Sequence, residues 1–190
     1  MTKQEDDILT DLINKWTEVA KKLDIKWSVC AGTYIGLKRH QGRIPWDDDF
    51  DITIMKEDVS KMSQVSELLK SHNIGLAEFW GGYKIYFTDE RAINVFNKYE
   101  WNWPFIDIFS IKYEGEKFKR ERRECFYLKK EELPLKKEKF GNGYVNVFQN
   151  PSLKRTSVKN RIWEKELVDT RYRHQIENRI SNKCSKKYIT

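Results

Sequence analysis

WSVCAGTYIGLKRHQGRIPWDDDFDITI, residues 27–54, decides how the rest of this chain is read. An apolar run ends at Gly32-Thr33, and four acidic residues, Asp47, Asp48, Asp49 and Asp51, stand just before a second apolar run. Carboxylates this close repel one another and resist burial, and a bound cation is the commonest relief. Phe50, Ile52 and Ile54 alternate with Asp49, Asp51 and Thr53, which is the period of a half-buried strand. Strand side chains alternate faces, so Asp47, Asp49 and Asp51 are expected on one face while the apolar set enters the core. Residues two apart lie about 6.5–7 Å from one another, within reach of one or two divalent ions.

Working outward toward the N-terminus, Ile25–Ala31 reads as a strand and 33–40 as a short helix. A strand, a Gly-Thr turn and a helix N-terminus together present backbone N–H groups to an anion. Earlier still, Thr2 and Glu5 fit a capping box, and apolar residues from Ile8 to Leu23 recur at helical spacing, giving a helix over 3–22. Toward the C-terminus, 58–71 reads as a second helix. Residues 76–80 and 83–87 read as a hairpin around Gly81-Gly82. Residues 103–109 read as a strand in which Asp107 is the lone acid among strong strand formers, a setting that suits a third metal-facing carboxylate. The charge-dense stretch 115–132 reads as a surface excursion, and 135–148 as a second hairpin around Gly141-Asn142-Gly143. Asn150-Pro151 marks a boundary. Beyond it a helix over 153–180 and a frayed basic tail over 181–190 are expected, with residues 1–180 forming one domain.

The chain has 190 residues, enough for a sizeable core, and its 7 Trp, 9 Tyr and 10 Phe compensate for a hydrophobic fraction of only 39%. No stretch approaches the roughly 20 apolar residues of a spanning helix, and the N-terminal MTKQEDDILT lacks a signal-peptide core. A cytoplasmic protein without a membrane span is therefore expected. Cys30, Cys125 and Cys184 are widely spaced and form no CxxC pair, so free thiols are expected rather than disulfides or a cysteine zinc site. Residues 151–190 hold 11 Lys/Arg against 4 Asp/Glu, which accounts for the whole net charge of +7. That excess suits either an anionic partner or a solvated helix face.

Three uses of the carboxylates compete. Asp49, Asp51 and Asp107 holding Mg²⁺ would serve phosphoryl or nucleotidyl transfer. Asp47, Asp49 and Asp51 also stand at positions 1, 3 and 5 of a calcium loop, but position 6 is Ile52 where Gly is needed and position 12 is Asp58 where Glu is usual. A nucleic-acid binder would use the basic C-terminal segment with Trp163, Tyr172 and His174. No recognition motif appears there and the acidic cluster is left unexplained, so nucleic acid is not the expected partner.

GTYIGLKRHQGRIPWDDDFDI, starting at Gly32, resembles the signature of the LicD/fukutin family, a G-T/S-L-L-G-x-x-R-H-x-x-x-I-P-W-D-x-D-x-D pattern. The match takes in Gly32, Thr33, Gly36, Arg39, His40, Ile44, Pro45, Trp46, Asp47, Asp49 and Asp51. FIDIFSI from Phe105 resembles the family's D-I-F segment, and LPLKKEKFGNGYVNVFQNP from Leu133 resembles its downstream P-L-x-x-x-F-x-G-x-x-V segment. The resemblance runs from about residue 5 to residue 175. It implies an α/β (α+β) nucleotidyltransferase-like fold with a central mixed sheet flanked by helices and a C-terminal helical segment. It also implies that Gly32 and Thr33 contact the donor phosphates and that Asp49, Asp51 and Asp107 are the catalytic metal ligands. Arg39 and His40 would lie near the diphosphate, and Asp47 falls with the substrate-binding residues rather than the ligands.

The implied activity is that of a phosphotransferase acting on substituted phosphate groups. With Mg²⁺ or Mn²⁺, a phospho-alcohol such as phosphocholine or ribitol phosphate would pass from a CDP-linked donor to a saccharide-like hydroxyl. Nucleotidyl transfer to another acceptor, or an inactive relative that binds nucleotide or nucleic acid, stays open. With no anchor or secretory signal expected, the acceptors of the animal relatives are not carried over, and without a cysteine cluster in the sequence no zinc-bearing insertion is expected. A minimal catalytic domain is expected.

Overall fold

The computed structural model describes residues 2–44, 47, 49–79, 81–92, 99–114, 117–120, 135–148, 166–169 and 185–188. Helix α1 (Lys3–Lys22) opens with the capping box: the Thr2 side chain accepts from the Glu5 backbone N–H while the Glu5 carboxylate accepts from that of Thr2. Its buried residues Leu9, Leu12, Trp16, Val19 and Ala20 follow the three-and-four spacing of a single apolar face.

Six strands form one mixed sheet: β1 (Trp27–Val29), β2 (Phe50–Met55), β3 (Ile74–Phe79), β4 (Gly82–Phe87), β5 (Phe105–Glu114) and β6 (Lys117–Arg120). Their order is β1-β2-β5-β4-β3, with β6 added to β5. Only β2 and β5 pair in parallel; the other pairings are antiparallel. Helix α2 (Ala31–His40) joins β1 to β2, and a short 3-10 helix (Lys56–Lys61) runs into α3 (Met62–Lys70), which begins the crossover from β2 to β5.

The two faces of this sheet differ sharply. Phe50, Ile52 and Ile54 of β2 share one face with Ile106 and Ile108 of β5 and with Ile85 and Phe87 of β4. All are buried in one cluster with Leu9, Leu12 and Trp16 of α1 and Val65 and Leu69 of α3. By alternation the opposite face carries Asp51 and Thr53, Phe105 and Asp107, Lys84 and Tyr86, and Ala77. There Ala77, Tyr86, Trp103 and Phe105 make a separate, smaller cluster.

A second hairpin, β7 (Leu135–Phe140) with β8 (Gly143–Phe148), sits beside β1 and sends Val145 and Val147 into the main core. It also clasps the end of α2. The Gly141 N–H donates to the Gln41 carbonyl, Lys38 pairs with Glu138 at 2.6 Å, and Phe140 meets Phe50 edge-on at 5.8 Å.

One expectation needs correction. Within the segment expected to be helical, Glu166–Asp169 forms strand β9, paired antiparallel with β10 (Ser185–Tyr188) from the stretch expected to fray. Thr170, Arg171, His174 and Gln175 stand three, four, seven and eight residues after Leu167, so the helical period of apolar residues lapses there, and Val168 and Thr170 are β-branched. The rest of 153–180 lies outside the described residues. So do Pro45, Trp46, Asp48, Cys125, Asn150-Pro151, Trp163, Tyr172, His174, Cys184 and the part of the charge-dense excursion from 121 onward. Residues 117–120 of that excursion are strand β6. No helix among the described residues is long and apolar enough to cross a membrane.

Arg91 ties the end of β4 to α1 and to the turn that follows α3. It grips Asp89 with Nε and Nη2, reaches Asp11 of α1 at 3.0 Å and the His72 carbonyl at 3.0 Å, and lies over the Phe87 ring. The Arg91 hydrogen bonds hold the Asp89 carboxyl down to about 2. A folded-state value below the unfolded one adds stability that is complete above about pH 4 and is lost as pH falls through about 2. Urea unfolding at pH 7 and pH 2.5 is expected to show that Asp89→Asn removes about 1 kcal/mol of this pH dependence, after allowance for solvent screening. An unchanged slope between wild type and variant would contradict the assignment.

Candidate metal centre

The carboxylates converge because of strand register. Asp51 of β2 is paired with Asp107 of β5, and the parallel arrangement points both side chains to the same face. Asp49 precedes β2, yet one carboxylate oxygen from each of Asp49, Asp51 and Asp107 lies within 4.8 Å of the others. Asp51 and Asp107 are 9% and 8% exposed, so their charges cannot be left to solvent. Three hard oxygen ligands at this separation suit a divalent cation such as Mg²⁺.

The turn before α2 is built onto this group. Cys30, which is buried, extends the β1–β2 ladder through its N–H to the Asp51 carbonyl at 3.0 Å. Ala31 then takes a left-handed φ of 44°, uncommon for a residue with a Cβ and often found where function constrains the backbone. The Gly32 N–H donates to Asp51 Oδ2 at 3.1 Å, and the Asp51 N–H donates to Thr33 Oγ1 at 2.8 Å. Gly32 and Thr33, expected at donor phosphates, are thus bonded to the side chain and backbone of Asp51. Both fall in the first turn of α2, and Thr33 is buried.

Asp47 is not one of the three. Residues 42–44 and Asp47 lie along α2, and β2 begins at Phe50, so Asp47 is outside the strand's alternation. Two glycines on one side of α2 make room for this return. A Cβ on Gly36 would meet the Gly42 carbonyl oxygen at 2.6 Å, and one on Gly32 would meet Asp47 Oδ2 at 3.0 Å and Asp51 Oδ2 at 3.5 Å. The Asp47 carboxylate therefore lies beside the helix N-terminus, where negative charge is favoured. Arg43 anchors the same loop to α1 through the Asp6 carboxylate, the Asp6 carbonyl at 3.1 Å and Thr10 Oγ1 at 3.2 Å.

Arg39 and His40 occupy the last turn of α2, and Arg39 is about 10 Å of helix rise from Gly32. Burial, and then the neighbouring Arg39 charge, hold His40 below its usual value. The calcium-loop alternative does not survive: Phe50–Met55 is strand, and Asp58 instead accepts from the Lys26 N–H at 3.2 Å and pairs with Lys61 at 2.7 Å.

Lys84 is the site residue that sequence reasoning missed. It pairs with Asp107 across β4 and β5, is 5% exposed, and makes an ion pair with Asp107 Oδ1. Its ammonium also faces the rings of Phe105 at 3.5 Å, Phe79 at 4.7 Å and Trp101 at 5.2 Å. The available signal was a lone lysine between Tyr83 and Ile85 in an otherwise apolar strand, the same signal that singled out Asp107.

A mixed sheet with helices on its apolar face and three converging carboxylates on the other is the arrangement of a nucleotidyltransferase-type domain. Residues 24–150 match the family described as LicD/FKTN/FKRP, nucleotidyltransferase domain, and the chain belongs to that family. The matched region is shorter than the resemblance read from motifs, which extends from about residue 5 to 175. An uncharacterised protein of Rickettsia prowazekii (strain Madrid E) is 34% identical over 141 residues, covering 70% of this chain and 47% of that protein. The lipopolysaccharide cholinephosphotransferase LicD of Haemophilus influenzae is 27% identical over 78 residues, covering 40% of this chain and 29% of that enzyme. The chain thus spans less than half the length of these relatives. A crystal structure of ANT(2")-Ia in complex with adenylyl-2"-tobramycin aligns with 59% of this chain and 55% of its own at 17% identity and a TM-score of 0.40, too distant a likeness to bear on the site.

Gly36→Ala tests the packing of the return loop. On helix propensity alone the change would stabilise the protein by up to about 1 kcal/mol. The clash with the Gly42 carbonyl is expected to reverse the sign, to a loss of about 1–3 kcal/mol in urea unfolding. A stabilised variant would show that the loop does not lie in the groove.

Proposed function

We propose that this protein is a metal-dependent transferase that moves a phospho-alcohol from a CDP-linked donor to the hydroxyl of a saccharide-like acceptor. The observation that carries the reading is the convergence of the Asp49, Asp51 and Asp107 oxygens within 4.8 Å, in a chain of the LicD/FKTN/FKRP family. Donor class and acceptor class are taken from the family likeness, including the cholinephosphotransferase of Haemophilus influenzae.

In this proposal Asp49, Asp51 and Asp107 hold one Mg²⁺ or Mn²⁺, whose charge neutralises the diphosphate and the departing nucleotide. The acceptor hydroxyl attacks the phosphorus that bears the alcohol. A new P–O bond forms to the acceptor, the bridging P–O bond breaks, and CMP leaves with the electron pair while the hydroxyl proton passes to base or solvent. Gly32 and Thr33 fix Asp51 from its side chain and backbone. Gly32 and Thr33 also open α2, whose N-terminus favours an anion, and Asp47 borders that position. Arg39 and His40 are assigned to the outer part of the donor. Attack at the other phosphorus would transfer CMP and release the phospho-alcohol, a reading the family's nucleotidyltransferase description keeps as the alternative.

A panel of CDP-alcohols with Mg²⁺ separates the two by product. Wild type is expected to release CMP from at least one donor when a saccharide acceptor is present. Asp49→Ala or a chelator is expected to lower that rate by more than about 100-fold, with the fold retained because repulsion among the carboxylates falls. Release of the phospho-alcohol in place of CMP would favour nucleotidyl transfer. CMP release indifferent to both the substitution and the chelator would sink the mechanism.

A further inference from the structure

We propose that the Lys84 ammonium stands in for a second metal ion, so that the site takes a single divalent cation; this rests on the metal reading of the three aspartates. Three observations carry it. First, Lys84, Asp107 and Asp51 are register partners on the adjacent strands β4, β5 and β2, so the ammonium is built into the same row of the sheet as the ligands. Second, the ammonium bonds Asp107 Oδ1, so a fixed positive charge already sits on the carboxylate that two ions would have to share. Third, Lys84 is held there from its other side by the rings of Phe105, Phe79 and Trp101, and with 5% exposure it has no solvent to retreat into.

Two-metal sites place their ions about 3.5–4 Å apart and share carboxylate oxygens between them. A second dication in this cluster would have to lie close to a fixed positive charge and compete with it for Asp107. In the low-dielectric surroundings of a buried pair that repulsion is strong. A lysine in this place neutralises one carboxylate and fixes its rotation without dissociating, the part a second ion sharing that carboxylate would play toward it. Lys84 is therefore a positioning residue, acting on the ion through Asp107.

Titration calorimetry of the full chain with Mn²⁺, read alongside electron paramagnetic resonance, tests this without reference to turnover. Wild type is expected to bind one Mn²⁺ per chain with the spectrum of an isolated ion. Lys84→Met keeps the length and apolar stem of the side chain among the three rings, and is expected to bind two Mn²⁺ with a spin-coupled spectrum. Lys84→Arg, which keeps the charge, should bind one. Two ions in wild type overturn the proposal, and so does a folded Lys84→Met that still binds one. The wild-type stoichiometry decides alone if circular dichroism shows that Lys84→Met is unfolded. Absence of saturable Mn²⁺ binding in wild type would instead overturn the metal reading itself, and this proposal with it.

Discussion

The parallel pairing of β2 with β5 is the constraint on which the rest depends, because it fixes both the core and the site at once. Ile52 lies opposite Ile108 and Asp51 opposite Asp107. Since side chains alternate with period two, a slip of either strand by one residue would exchange the faces. Isoleucines worth about 1.5–3 kcal/mol each on burial would be exposed, and aspartates would enter an apolar layer. The apolar face therefore holds the register, and the register holds two carboxylates side by side against their mutual repulsion. Lys84 on the next strand answers part of that repulsion, and a bound dication is assigned the remainder.

Around this pairing the local sequence solves a second problem, bringing backbone and further carboxylates close to Asp51. The chain leaves β1 through a left-handed Ala31, so that Gly32 and Thr33 start α2 directly over the end of β2. Glycines at 32 and 36 leave one side of that helix bare, and residues 42–44 and the Asp47 carboxylate occupy it. What looks in the sequence like a phosphate-facing Gly-Thr turn is thus also the mortise for the return loop. The β7–β8 hairpin and Arg43 close the arrangement from outside through Glu138, Gln41 and Asp6.

Those features that depend on near neighbours were legible. The capping box and spacing of α1 gave its bounds, alternation gave β2, and a lone acid among strand formers marked Asp107. The LicD-like motif located Asp49, Asp51 and the turn together. Features set by distant pairing were not legible. Lys84 stands out as a lone lysine in an apolar strand, but its partner is not readable until β4 is known to lie against β5, which sets Asp107 beside it. Alternation placed Asp47 with Asp49 and Asp51, but Asp47 and Asp49 both precede the strand's start at Phe50, and of these two Asp49 joins the cluster, a choice made by the loop and not by the strand period. The strand at Glu166–Asp169 was masked by apolar residues that keep a helical period just up to Leu167.

Crystals of the full chain grown with Mn²⁺ and CMP, with data collected to give anomalous differences for manganese, test the central claim most directly. One strong peak is expected, with an oxygen from each of Asp49, Asp51 and Asp107 about 2.1 Å away, the distance for a small hard dication. A peak elsewhere, or none between these three carboxylates, would contradict the account.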